Sequence, residues 1–182
     1  MNKKHIRNGR RSSASVAYLN PARSRSNLDI EANAIATRVL FDGKRAVGVA
    51  FEQNGSAREA HAARAVILSG GAFASPQLLE LSGVGDPEHL AKLGIPLTHA
   101  LPGVGANLQD HFVVRMRWRV KNALTFNDRV RGLRALGEGL KYIVGRTGVL
   151  SLPTLPIGAF VRTRPELASP DVQFQILPAT YQ

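Results

Sequence analysis

The 182-residue sequence has no cysteine. Disulfides, cysteine-ligated zinc, thiolate clusters and cysteine nucleophiles are thereby excluded together. Acidic residues are scarce: 13 Asp and Glu stand against 24 Lys and Arg, leaving a net charge of +11. None occurs before Asp29, whereas Lys3, Lys4, Arg7, Arg10, Arg11, Arg23 and Arg25 all do. Long hydrophobic runs are missing too. Two long uncharged stretches, Ala65 to Leu79 and Thr147 to Val161, hold about 15 residues each and contain proline. A membrane span needs roughly 20 apolar residues, so none is expected.

An acid-free start rich in Arg and Ser is compatible with a nucleic-acid arm, a transit peptide or a solvated basic segment. No nucleic-acid-binding motif accompanies the charge, which favours the solvated segment over a nucleic-acid partner. Hydrophobic residues make up 44% of the chain, enough for a core. The length suits one domain, or most of one and part of a second.

Local signals give an α/β (α+β) chain. Ser12 to Leu19 suits a short helix closed by Asn20-Pro21. Leu28 to Glu31 and Ala34 to Phe41 read as strands. Asp42-Gly43 signals a hairpin turn into Arg45 to Glu52, and Asn54-Gly55 a second turn into Ala57 to His61. Ala65 to Ser69 is a continuous apolar run, as expected of a strand covered on both faces. After Gly70-Gly71, Ser75 and Pro76 look like the cap and first turn of a helix to Leu81, with Gly83 supplying a left-handed end. Asp86-Pro87 starts another helix that Gly94 would end, and Gly103 to Asp110 is a loop. Charge alternates with Met116, Trp118 and Val120 between Arg115 and Lys121, the pattern of a half-buried strand. A basic helix from Asp128 to Val144 and strands near Ile157 to Arg162 and Val172 to Leu177 complete the chain.

The junction at Ser69-Gly70-Gly71 is the chemically suggestive place. Glycine lets a ligand approach the backbone, and a helix N-terminus offers N–H groups to an anion. A tight strand-to-helix turn would need the same glycines. Gly83-Val84-Gly85 and Gly103-Val104-Gly105 resemble broken dinucleotide fingerprints, with Glu88 and Leu108 where a third glycine belongs; both read as turns. The histidines, His5, His61, His89, His99 and His111, lack metal-ligand spacing. Asp110-His111 is the one adjacent acid–imidazole pair, and adjacent side chains usually point apart. No nucleophile elbow is present.

Four segments, in order, carry a resemblance. They are Gly9-Arg10-Arg11-Ser12-Ser13 leading to Tyr18-Leu19-Asn20-Pro21; Asn27-Leu28-Asp29-Ile30 leading to Thr37-Arg38-Val39; Val66-Ile67-Leu68-Ser69-Gly70-Gly71-Ala72-Phe73-Ala74-Ser75-Pro76-Gln77-Leu78-Leu79 with Leu81-Ser82-Gly83-Val84-Gly85; and Leu93-Gly94-Ile95-Pro96 through Asn107-Leu108-Gln109-Asp110-His111. Together these resemble the glucose-methanol-choline oxidoreductases, strongly over residues 9–111 and more weakly beyond. The resemblance implies part of an FAD-binding Rossmann-like domain over 1–111 and part of a sheet-and-helix substrate domain over 112–182. It implies FAD as cofactor and hydride removal from the primary or secondary alcohol carbon of a small molecule, as in choline and alcohol dehydrogenases. Ala36 would lie where the backbone meets the adenine, and Ser69, Gly70 and Gly71 would close around the adenine and ribose. Gly70 replaces a more usual alanine, and Ala106 a more usual glutamate. The family's glycine-rich pyrophosphate fingerprint would belong upstream of Met1 and its catalytic histidine beyond Gln182, so no catalytic residue is assigned here. The expectation is an internal fragment, inactive alone, located in the cytoplasm and exposing apolar surface where further strands would pack. The rival readings are a non-catalytic truncated product and a small basic binding module for nucleic acid or an acidic partner.

Overall fold

Turn chemistry sets the first elements. The computed structural model describes residues 6–153 and 157–179. Asn8 and Gly9, both with positive φ, join β1 (Ile6–Arg7) to β2 (Arg10–Arg11). A π-helical stretch, Ser15–Leu19, runs on into α1 (Asn20–Ala22). Asn20-Pro21 therefore does not close this helix. Pro21 lies early in α1, within the continuous helical stretch.

The chain then forms a compact unit, Asp29–Val113, called here the central unit from its place in the sequence. Its antiparallel meander is β3 (Ala34–Asp42), β4 (Arg45–Gln53) and β5 (Ser56–His61). The β4–β5 turn is Asn54-Gly55, both at positive φ, as the sequence predicts. The β3–β4 turn is one residue later than expected. Asp42 pairs with Arg45, so Gly43-Lys44 form the turn and Gly43 alone takes positive φ. Leu28 to Glu31 is not a strand. Glu31 instead spends its carboxylate on Gln53 and Arg58, side chains of the meander.

Ala65 to Ser69 is not a paired strand either, because no described segment lies beside it to complete a ladder. It leads into α2 (Gly71–Leu81), which starts five residues earlier than the Ser-Pro signal suggests. After the turn at Gly83, β6 (Val84–Gly85) pairs in parallel with β7 (His99–Ala100), and α3 (Pro87–Lys92) lies between them in sequence. Gly83-Val84-Gly85 is thus a turn followed by a short strand. The α3 start is as expected: the Asp86 side chain accepts the His89 N–H at 2.9 Å, and Pro87 takes the first turn. Gly94 ends it at positive φ. Gly103 to Asp110 is irregular, as predicted.

The second unit comprises residues up to Leu28 and from Val114 onward. Arg115 to Lys121 forms no strand. Without a neighbouring strand its alternation buries nothing, and Met116, Trp118 and Val120 are all exposed. The basic helix is two helices. Thr125 and Asp128 form a reciprocal capping box that opens α4 (Phe126–Arg129), which ends before α5 (Gly132–Gly145) begins. Gly132, at positive φ, makes the break possible. Arg146 closes α5 in the left-handed region, where its guanidinium lies over the Tyr142 ring. A 3₁₀ turn, Val149–Ser151, and the antiparallel pair β8 (Ile157–Val161) and β9 (Val172–Ile176) follow.

Burial is slight. Among the described residues the buried hydrophobic side chains are Val39, Val84 and Leu90, all in the central unit. The buried acid of the second unit, Glu138, sits on α5 and accepts the Val149 N–H and the Lys141 ammonium, each at 3.0 Å, with Arg129 at 3.6 Å. These partners hold its carboxyl below the usual range, the Val149 N–H foremost. The Thr125 hydroxyl and N–H do the same for Asp128, and those of Thr163 for Asp171.

Carboxyls depressed by folding stabilise above their unfolded range, and that contribution is lost as pH falls through the depressed values. The second unit should therefore lose stability on acidification, and Glu138→Gln should flatten this acid limb. Urea midpoints of both proteins from neutral pH downward check it; parallel acid limbs would refute it.

Candidate functional site

The C-terminal end of α2 is fixed by a polar joint. Ser82 is buried; its hydroxyl accepts the Val39 N–H of β3 at 2.8 Å and donates to the Leu78 carbonyl. Thr98 donates its hydroxyl to the Ser82 carbonyl at 3.0 Å, and its N–H to the Gly83 carbonyl at 2.8 Å. Between them Gly83 has φ +80, and a Cβ there would stand 2.3 Å from the Pro96 carbonyl oxygen. Both conformation and space demand glycine.

The N-terminal end of α2 is open. Gly70 caps it at φ −77, ψ 0, and Gly71 follows at φ +84. A right-handed residue followed by one at positive φ is the backbone pattern that turns successive N–H groups toward one point in anion-binding concavities. One donor is already used: Ser75 Oγ accepts the Gly70 N–H at 2.8 Å. This is the role of Ser75, rather than the N-cap expected from Ser75-Pro76. Pro76 sits inside the helix. The first-turn N–H groups of Gly71, Ala72 and Phe73 have no carbonyl to meet within the helix. In front of Gly71 a Cβ would meet nothing within 4 Å, whereas one on Gly70 would meet the Ala74 Cβ at 3.0 Å. The two glycines thus have different causes, crowding within the helix at Gly70 and backbone conformation at Gly71.

Ser69, Gly70 and Gly71 are brought together, all exposed, at this junction. Ala36 stands apart on β3, the strand against which α2 packs, and pairs with Phe51. The next residue, Thr37, is a bulge that offsets the ladder beside Ala36. The residues exposed at this corner, Ser69, Gly70, Gly71 and Ala72, carry little side chain, and Phe73 follows them.

Elsewhere the chemistry is sparse. Asp110 accepts the backbone N–H of His111 at 2.7 Å, and Gln109 donates to Asn107 at 3.1 Å, so the Asn107-to-His111 loop bonds within itself. No group of three or more His, Asp or Glu is placed to hold a metal among the described residues. A cavity of about 370 Å³ in the second unit is bordered by Arg7, Arg10, Arg11 and Arg146, but its wall is predominantly carbon. No helix among the described residues is long and apolar enough to cross a membrane.

Comparison with known proteins gives this geometry its context. Residues 1–113 match the profile of the GMC oxidoreductase family. The human mitochondrial choline dehydrogenase is 46% identical over 174 residues, 96% of this chain and 29% of that protein. The oxygen-dependent choline dehydrogenase of Chromohalobacter salexigens is 42% identical over 170 residues, 93% of this chain and 30% of its own length. Among solved structures, a formate oxidase superposes with a TM-score of 0.74 at 28% identity, covering 86% of this chain and 27% of that one. An FAD-dependent oxidoreductase from Chaetomium thermophilum gives 0.70 at 27% identity, over 80% of this chain and 26% of its own. The chain belongs to the GMC oxidoreductase family. It spans about 30% of the length of the curated relatives it matches.

Removing the Ser82 hydroxyl leaves the Val39 N–H buried without a partner. Ser82→Ala should cost about 1–3 kcal/mol, read as a lowered urea midpoint. A midpoint unchanged from wild type would show that the joint is not what holds α2.

Proposed function

We propose that this chain supplies the strand-to-helix face of an FAD site in an oxidoreductase acting on the CH–OH group of a small alcohol, of the choline dehydrogenase type. The observation that carries the reading is the open Gly70–Gly71 concavity at the head of a helix locked at its other end, in a chain of the GMC family. FAD, when bound, supplies the two-electron acceptor for hydride taken from the alcohol carbon.

This chain's own residues bind and position. The N–H groups of Gly71 and Ala72 donate to a polar or anionic oxygen, helped by the positive end of α2. Ser75 withdraws the Gly70 N–H from that set and steadies the turn. Ser69 and Gly70 present little bulk toward the adenine and ribose, and Ala36 offers small-residue backbone to the adenine. Residues 1–111 form the cofactor part and 112–182 the beginning of the substrate part. No residue here is assigned as the catalytic base, and the 182-residue chain is inactive alone.

Two outcomes are expected from FAD titration of the chain, followed by flavin fluorescence and co-elution. The wild type binds saturably, without turning over choline. Ser69→Trp, a bulky change at an exposed position, lowers affinity at least about tenfold, the loss of some 1.4 kcal/mol, while leaving thermal melting unchanged. Equal affinity in the two proteins would place FAD elsewhere. A second variant isolates the donor set: Ser75→Ala should release the Gly70 N–H and speed its hydrogen exchange, and unchanged exchange would disprove the bond.

A further inference from the structure

We infer that the cavity between the first hairpin and the end of α5 binds an organic phosphate, held by Arg7, Arg10, Arg11 and Arg146. This goes beyond the FAD reading and does not rest on it, because the residues of that reading lie in the central unit. The second unit builds the cavity from two stretches far apart in sequence. Asn8 and Gly9 turn β1 into β2 at positive φ, and a Cβ on Gly9 would collide with the Arg146 carbonyl oxygen. The hairpin thus rests directly on the left-handed end of α5. About 370 Å³ opens there. The strand register sets Arg7 directly opposite Arg10, with Arg11 next to it in β2. Like charges facing each other across a ladder repel. Two guanidinium forks side by side are also the donor arrangement that the oxygens of a phosphate match.

Nothing acidic neutralises this cluster. The central unit has more Asp and Glu than Lys and Arg, so the surplus behind the net charge of +11 lies in the second unit. The acids of that unit are Asp128, Glu138, Glu166 and Asp171, and each bonds elsewhere: to Thr125, to Lys141, to Arg164 and to Thr163. Among the described residues no ion pair joins Arg7, Arg10, Arg11 or Arg146 to a carboxylate. Arg146 lies over the Tyr142 ring, a contact that engages the face of its guanidinium and not the N–H edge. The wall decides what accompanies the anion. Arginine stems and Val16 line it, a carbon surface suited to an apolar body and wasted on a bare ion. The ligand class that meets both demands is a phosphate ester of a small apolar or aromatic group.

The test is calorimetric titration of the 182-residue chain with phenyl phosphate at neutral pH, at an ionic strength of about 0.1 M so that remote charges are screened. Saturable binding at a single site is expected, with inorganic phosphate at least about tenfold weaker for want of a buried ring. Arg7→Gln combined with Arg10→Gln should lower phenyl phosphate affinity at least about tenfold through lost charge-assisted hydrogen bonds. It should not lower the melting temperature, because the facing charges are gone. Arg115→Gln combined with Arg117→Gln removes the same charge from the same unit, outside the cavity lining, and should leave affinity unchanged. The proposal is overturned by absence of saturable binding, or by equal losses in the two double variants, which would mean diffuse attraction to a basic surface. Inorganic phosphate binding as tightly as phenyl phosphate would overturn it in favour of a bare-anion site. Should the Arg7 and Arg10 variant melt lower than wild type, Val16→Trp decides. That change fills the cavity without removing a charge, and undiminished phenyl phosphate binding to it would overturn the proposal.

Discussion

Position in the central unit depends on the joint where α2 meets β3. The Ser82 hydroxyl bonds to both: it takes the Val39 N–H from the strand and donates its own proton to the helix at the Leu78 carbonyl. Gly83 then turns the chain in a space that no Cβ can enter, against Pro96 and Thr98. That turn delivers Val84 and Gly85 to His99 and Ala100 as a parallel pair, over the fully buried Leu90. With one end of α2 clamped, the other is held out as an exposed Gly70–Gly71 corner. The candidate site is therefore built by contacts at the opposite end of its helix.

Against this local order stands the shortage of covered apolar surface. The composition is that of an ordinary globular chain, yet the buried hydrophobic residues described are few. The second unit shows the imbalance most plainly. Leu133, Leu136, Leu140, Ile143 and Val144 recur at helical spacing along α5 and are all exposed, while the same helix buries Glu138 among Val149, Lys141 and Arg129. The apolar stripe of this amphipathic helix is thus left uncovered among the described residues.

The same shortage separates what the sequence reveals from what it does not. Asn54-Gly55, Asp86-Pro87, Gly83 and Gly94 were all readable, because each is decided by the φ or the side-chain acceptor of the residue itself. Ala65 to Ser69 and Arg115 to Lys121 have strand patterns but no strand, since a pattern states which faces want cover and not whether cover is present. Asp128 to Val144 misleads differently: its apolar period passes smoothly over the break before Gly132, which only the Thr125 capping box and the glycine's φ reveal. The family, by contrast, was recoverable from motif order alone, since four spaced segments constrain identity more tightly than any one of them constrains structure.

Ser75 explains why the site itself was only half readable. Ser-Pro at a helix start ordinarily means a cap and a first turn, and that rule placed the helix's positive end five residues too late. Here the hydroxyl reaches back to the Gly70 N–H, so serine stabilises the true start from inside the helix. The donors that remain belong to Gly71, Ala72 and Phe73, and the first two have almost no side chain to announce them. A site made of backbone N–H groups is encoded by what is missing from the sequence at those positions, and its direction is set by two φ angles of opposite sign. Side-chain pattern can mark such a corner as possible; only the folded backbone decides which N–H groups are left free to bind.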